Sequence, residues 1–162
     1  EGEKILPWYY EQEVLGFNYR LSALQAALGI SQLDYLANFI KTRRQLAQLY
    51  KKTLKGLPLK FQVSKPESLS SYHLFTIEIL DNKFSRDDLF KFLKENKVGC
   101  QVHYIPLYRH HFYKKMGFSY SKFPNAERYF NNCLSIPLHQ SLSKTDVLFV
   151  VNLIKKFFNQ KI

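Results

Sequence analysis

Gly16-Phe17-Asn18-Tyr19-Arg20-Leu21-Ser22-Ala23-Leu24-Gln25 is the junction on which the fold turns. Before it, residues 1–20 show no clean period, and Trp8, Tyr9 and Tyr10, just after Pro7, read as an extended aromatic segment. At Ser22 a helix begins sharply. Ser22 and Gln25 have capping-box spacing: the serine oxygen takes a free backbone N–H of the first turn, and the glutamine reaches back to the serine N–H. Gly29 predicts the end of that short helix. Ser31 then predicts a second, longer one with Asp34 in its first turn, where negative charge suits the helix dipole. Leu33, Leu36, Ile40, Ala47, Tyr50 and Leu54 fall on one stripe of it, with Arg43 in the single gap. Gly56 and Pro58 stop the helix.

Downstream, the period changes to two. Phe75, Ile77 and Ile79 alternate with Leu74, Thr76 and Glu78, which predicts a strand. Ser85 caps a helix carrying Leu89, Phe92 and Leu93, and residues 100–104 predict a second strand ended by Pro106. Short helices are expected at 107–115 and 124–132, a short strand at 133–136, and a last helix capped by Ser143 with Val147, Val150, Val151, Ile154 and Phe158 on one face. The order predicts an α/β fold: a small sheet covered by helices and preceded by a long helix. Residues 1–20 have no partner in that scheme.

Composition narrows the function classes. The 162 residues suit one domain, and 46% hydrophobic with 16% aromatic residues suffices for a packed core. The net charge of +11 favours anionic partners. The basic residues are scattered, however, and their densest clusters, at 41–44, 51–55 and 155–156, fall on polar faces of predicted helices; a nucleic-acid partner is not expected. Cys100 and Cys133 lack CxxC spacing and read as ordinary buried thiols in a reducing, cytoplasmic setting. No apolar run approaches the roughly 20 residues of a membrane span. Of the five histidines, His110 and His111 are adjacent and would point about 100° apart on a helix, which suits no single metal ion.

Two polar clusters carry chemistry. At the first, Asn18 and Arg20 present an amide and a guanidinium just ahead of a capped helix start, an arrangement that suits an anion. At the second, His103-Tyr104-Ile105-Pro106 offers an imidazole, a phenol and a turn at the end of a predicted strand, where binding groups tend to sit. On their own, these clusters also fit a self-satisfied capping loop and a buried His–Tyr pair.

Taken in order, the blocks resemble the sugar aminotransferase family named for the DegT, DnrJ, EryC and StrS proteins. Gly16-Phe17-Asn18-Tyr19-Arg20-Leu21-Ser22, Gln25-Ala26-Ala27-Leu28-Gly29 and Gln32-Leu33 are similar to its signature. Arg44, Ala47 and Tyr50 fit its long helix. Ser71-Tyr72-His73-Leu74-Phe75, Val102-His103-Tyr104-Ile105-Pro106-Leu107, Ala126-Glu127 and Leu134-Ser135-Ile136-Pro137-Leu138 resemble its later blocks. The resemblance implies the C-terminal small domain of a fold-type I pyridoxal 5'-phosphate-dependent transferase, with residues 1–20 as the remnant of the large cofactor-binding domain and 21–162 as the small domain. The wording around His103 is most similar to members that use glutamate to aminate C4 of a UDP-linked 4-keto-6-deoxy sugar in pseudaminic acid synthesis.

By the same resemblance, the family's cofactor-anchoring lysine lies several tens of residues ahead of the Asn-Tyr-Arg block. Only Lys4 precedes that block here, so no catalytic residue is expected in this chain and the chain alone is expected to be inactive. Asn18 matches an asparagine that reaches across a homodimer interface to the partner subunit's cofactor phosphate, and Arg20 the arginine that orders that loop. His103, Tyr104, Ile105 and Pro106 match a segment bordering the nucleotide sugar, and His73 a recurrent position for which a structural hydrogen bond is expected. Within the family, a sugar dehydratase with histidine in place of the lysine is the alternative activity; outside it, a non-catalytic dimerisation module or a basic binding module.

Overall fold

A computed structural model describes residues 14–17, 19–118 and 122–159. Ser22 caps the first helix as its spacing requires: Gln25 N donates to Ser22 Oγ at 3.3 Å, and Ser22 N donates to Gln25 Oε1 at 3.1 Å. That helix, α1, runs without a break from Ala23 to Thr53 (Ala23–Thr53). The stop expected at Gly29 and the new start at Ser31 are therefore overturned. A glycine inside a helix costs only about 1 kcal/mol relative to alanine, too little to interrupt 31 residues of otherwise good helix. A Cβ built at Gly29 meets nothing within 4 Å. Gly29→Ala should accordingly raise the helical content of this chain and stabilise it by about 0.5–1 kcal/mol. Circular dichroism through a urea titration checks this; an unchanged or lower midpoint counts against it.

Two compact units divide within α1, after Tyr35. In the first, Phe17 and Tyr19 stack with ring centroids 5.4 Å apart. Leu24, Leu28, Ile30 and Leu33 of α1 are exposed there, so the predicted stripe becomes a core face only beyond Tyr35.

The second unit, Leu36–Ile162, holds the sheet. Its strands are β1 (Leu59–Phe61), β2 (Phe75–Ile79) and β3 (Cys133–Ile136), in the order β1-β2-β3 with both pairings antiparallel. Its helices are α2 (Arg86–Glu95), α3 (His111–Lys115), α4 (Pro124–Asn132) and α5 (Lys144–Asn159). Ser85 caps α2 through Asp87 N and Asp88 N, and Ser143 forms a capping box with Asp146 ahead of α5. Strand alternation gives the sheet two unlike faces. Leu59, Ile77, Phe75, Leu134 and Ile136 join Ala47 and Tyr50 of α1, Leu54 just after it, Leu89 and Leu93 of α2, and the expected face of α5 in one core. Each such fully buried leucine or isoleucine contributes about 1.5–3 kcal/mol. The opposite face carries Lys60, Glu78 and Cys133 in one register row and Thr76 and Ser135 in the next.

The strand expected at 100–104 is reduced to a single bridge, Gln101 to Ser135. Gln101 N donates to Ser135 O at 3.1 Å and Ser135 N to Gln101 O at 2.9 Å. Beyond Val102 the chain turns away toward Pro106, which has no N–H to continue a ladder. The sheet's third strand is instead β1, only three residues long, directly after Pro58. Residues 107–115 form a 3-10 turn, Leu107–Arg109, followed by α3, with His110 between them.

Arg43 explains the gap in the α1 stripe. Its Nη1 donates to the carbonyls of Tyr72 (3.2 Å), His73 (3.2 Å) and Leu138 (3.0 Å), and its Nη2 to Gln140 Oε1 (3.1 Å). Beside it, Arg44 donates to Ser70 O and Leu69 O, both at 2.8 Å.

Candidate functional site

The segment His103-Tyr104-Ile105-Pro106 leaves the sheet edge one residue after Val102 packs against the core. Its first anchor is Ser135 of β3, whose Oγ lies 2.9 Å from His103 Nδ1. Ser135 is buried, while Tyr104 is 73% exposed, so the segment runs from a fixed imidazole to an open phenol. The two rings meet edge to face at 4.6 Å. Ile105 and Leu107 are exposed. Pro106 starts the 3-10 turn, and its carbonyl accepts from Arg109 N at 2.9 Å.

The second anchor lies at the far end of the segment. Arg109 grips Glu127 of α4 with two donors: Nε meets Oε1 at 2.9 Å and Nη2 meets Oε2. The guanidinium also sits over the Phe130 ring, 4.7 Å from its centroid. This hydrogen bonding holds the Glu127 carboxyl below its ordinary range, and burial pushes the neighbouring Tyr108 hydroxyl up. Tyr108 stacks on Phe123 at 4.8 Å, and with Leu107, Tyr113 and Phe118 these rings line an apolar hollow of about 390 Å³. Residues 103–109 are thus pinned at both ends with exposed apolar and phenolic groups between, an arrangement able to orient a sugar-sized ligand.

On the polar face of the sheet, Glu78 pairs with Arg128 of α4 and with Lys60 of β1, the latter at 3.7 Å. Cys133 lies in the same row. Burial, reinforced by the Glu78 charge, pushes its thiol up to about 11. Cys100 is likewise buried and its thiol raised. Both are free and buried, as expected of ordinary buried thiols, and burial favours their protonated form. Among the described residues no cluster of His, Cys, Asp and Glu could hold a metal ion, and no helix is long and apolar enough to cross a membrane.

In the first unit, Arg20 is exposed, two residues ahead of the Ser22 cap. A guanidinium next to the positive end of a 31-residue helix fits a phosphate group in its donor chemistry. Asn18 lies outside the described residues. His73 is exposed, and its main-chain carbonyl accepts from Arg43. Sequence reasoning singled out His103 but not its partner. The signal for Ser135 is a lone hydroxyl in the buried run Cys133-Leu134-Ser135-Ile136.

A three-stranded antiparallel sheet behind a long helix, with a doubly anchored segment at its edge, defines the chain as the C-terminal piece of a fold-type I transferase. Residues 7–155 match the DegT/DnrJ/EryC1/StrS aminotransferase family, and the chain belongs to that family, whose aminotransferases depend on pyridoxal phosphate. Over 145 residues it is 36% identical to the UDP-4-amino-4,6-dideoxy-N-acetyl-beta-L-altrosamine transaminase of Campylobacter jejuni, covering 88% of this chain and 38% of that protein. A Streptococcus pneumoniae protein assigned as a sugar aminotransferase, solved in its PLP-form, superposes with a TM-score of 0.83 at 25% identity, covering 96% of this chain and 40% of that one. Helicobacter pylori PseC, an aminotransferase of pseudoaminic acid biosynthesis, gives 0.80 at 27% identity, covering 97% of this chain and 43% of that one. The chain therefore spans about two fifths of the length of the curated relatives it matches.

Proposed function

We propose that the chain is the C-terminal portion of a cytoplasmic nucleotide-sugar aminotransferase that moves an amino group from glutamate to C4 of a UDP-linked 4-keto-6-deoxy sugar, as in pseudaminic acid synthesis. Residues 1–20 would then be the end of the large cofactor-binding domain and 21–162 the small domain. The observation that carries this reading is the segment at 103–106, fixed by Ser135 at one end and by the Arg109–Glu127 pair at the other. Its wording and its anchoring suit a nucleotide sugar held in one orientation, and the similarity to the altrosamine transaminase and to PseC supports the choice of sugar class.

In this reading, pyridoxal phosphate supplies the electron sink that lets an amino group leave one carbon and join another. The chain's own residues do the positioning. His103 offers a ring N–H and Tyr104 a phenol to the oxygens of the sugar or its diphosphate. Pro106 and the 3-10 turn keep those two groups in register. Arg20 and Asn18 serve the cofactor phosphate of the partner subunit, so each active site is completed across a homodimer.

The test has two arms. The full-length protein, given glutamate and a UDP-4-keto-6-deoxy sugar, should yield the 4-amino sugar and 2-oxoglutarate. The 162-residue chain alone should yield neither, because the lysine that anchors the cofactor is expected upstream of it. A dehydrated sugar product from the full-length protein, or cofactor trapped by borohydride on one specific lysine of the isolated chain, would sink the proposal.

A further inference from the structure

Ser135 is 6% exposed on a strand otherwise filled by apolar residues and a thiol. Its hydroxyl has two polar neighbours: His103 Nδ1 at 2.9 Å and Thr76 Oγ1 at 3.5 Å. Thr76, Ser135 and His103 therefore form one line across the polar face of the sheet, from β2 through β3 to the candidate binding segment.

The direction at Ser135 follows from acceptor strength and distance. Of the three groups, a neutral imidazole nitrogen is the strongest acceptor. The Ser135 proton therefore goes to His103 Nδ1, at 2.9 Å the nearer of its two neighbours, rather than to Thr76 Oγ1 at 3.5 Å. Which nitrogen of a histidine bears the proton is set by the bond the other nitrogen makes.

We propose that Ser135 is a positioning residue: its hydroxyl donates to His103 Nδ1, fixes the neutral imidazole in the Nε2–H form, and so makes His103 a hydrogen-bond donor to an oxygen of the bound nucleotide sugar. This rests on the reading of residues 103–106 as the substrate segment. A carbonyl or carboxylate at position 135 would impose the opposite tautomer and present a lone pair to the substrate. A hydroxyl that donates to Nδ1 leaves an N–H at Nε2 for the substrate.

The experiment uses the full-length protein with 15N-labelled histidine. Two-bond proton–nitrogen correlations of the imidazole rings report the tautomer, and the His103 signals are identified by their loss in His103→Gln. The wild-type ring should show the Nε2–H pattern, Ser135→Ala should lose that bias, and Ser135→Thr, which keeps the hydroxyl, should retain it. Ser135→Cys keeps the volume and serves if the alanine variant does not fold. Loss of one oriented hydrogen bond should raise KM for the nucleotide sugar roughly three- to tenfold in Ser135→Ala, with KM for glutamate unchanged. In a His103→Gln background Ser135→Ala should add nothing. A wild-type ring in the Nδ1–H form overturns the proposal, as does a tautomer indifferent to Ser135→Ala or a KM effect that persists without His103. If the tautomer responds but His103→Gln leaves KM unchanged, Ser135 still orients the ring, and what falls is the assignment of residues 103–106 to the substrate.

Discussion

Replacing Arg43 with alanine is expected to destabilise the second unit by about 2–4 kcal/mol, because one guanidinium satisfies four acceptors and each acceptor left unpaired costs about 1–3 kcal/mol, less where water can reach it. Three of those acceptors are main-chain carbonyls, from the turn at Tyr72 and His73 ahead of β2 and from Leu138 after β3. Arg43 therefore ties α1 to both strands of the β2–β3 pairing at one end, where Phe75 faces Ile136. Arg43→Lys should recover less than half of the loss. An ammonium has three donors radiating from one point, whereas the planar guanidinium spreads five over a wider fork. Arg44→Ala is the comparison: it releases only Leu69 O and Ser70 O, in a more exposed stretch, and should cost less. Urea titration of all three variants decides the matter. A shift under about 0.5 kcal/mol for Arg43→Ala would mean that water replaces the guanidinium, since a typical hydrogen bond is worth at least that much.

Arg43 also shows how far local pattern reaches. A cation in an otherwise apolar stripe is visible in the sequence, but its acceptors lie about 30 and 95 residues away and no periodicity announces them. The same limit governs the sheet. β2 was legible because five alternating residues pack on both faces, and α5 because its apolar face repeats over four turns. β1 has three residues, too few for a period to register, and borrows its stability from pairing with β2. At 100–104 the alternation is present, yet the chain leaves the sheet after one bridge. Gly29 misled because a glycine's local preference is worth about 1 kcal/mol, while the helix around it is long. At the candidate site, the segment at 103–106 was legible as a block of chemistry-bearing residues. Its anchors Ser135 and Glu127 were not, since each acts across the fold rather than along the chain.

Asn18→Ala in the full-length protein is expected to weaken cofactor retention roughly ten- to hundredfold, the worth of one hydrogen bond to a charged group at about 1.5–3 kcal/mol. An asparagine amide can donate to a phosphate oxygen without adding charge. The start of α1, capped by Ser22 and preceded by Arg20, supplies a favourable field for the same anion. If the phosphate belongs to the partner subunit, each site needs two chains, and dimerisation and cofactor binding are thermodynamically linked. A mixed dimer separates this from action within one subunit. One subunit carries Asn18→Ala, and the other lacks the cofactor-anchoring lysine. The site that keeps its lysine then belongs to the Asn18→Ala subunit and receives an intact Asn18 from its partner. That site should hold cofactor as tightly as wild type, measured by retention of the cofactor's visible absorbance through dialysis. Loss there equal to the loss in the Asn18→Ala homodimer would mean that Asn18 serves its own subunit's cofactor, and the two-chain site would have to be abandoned.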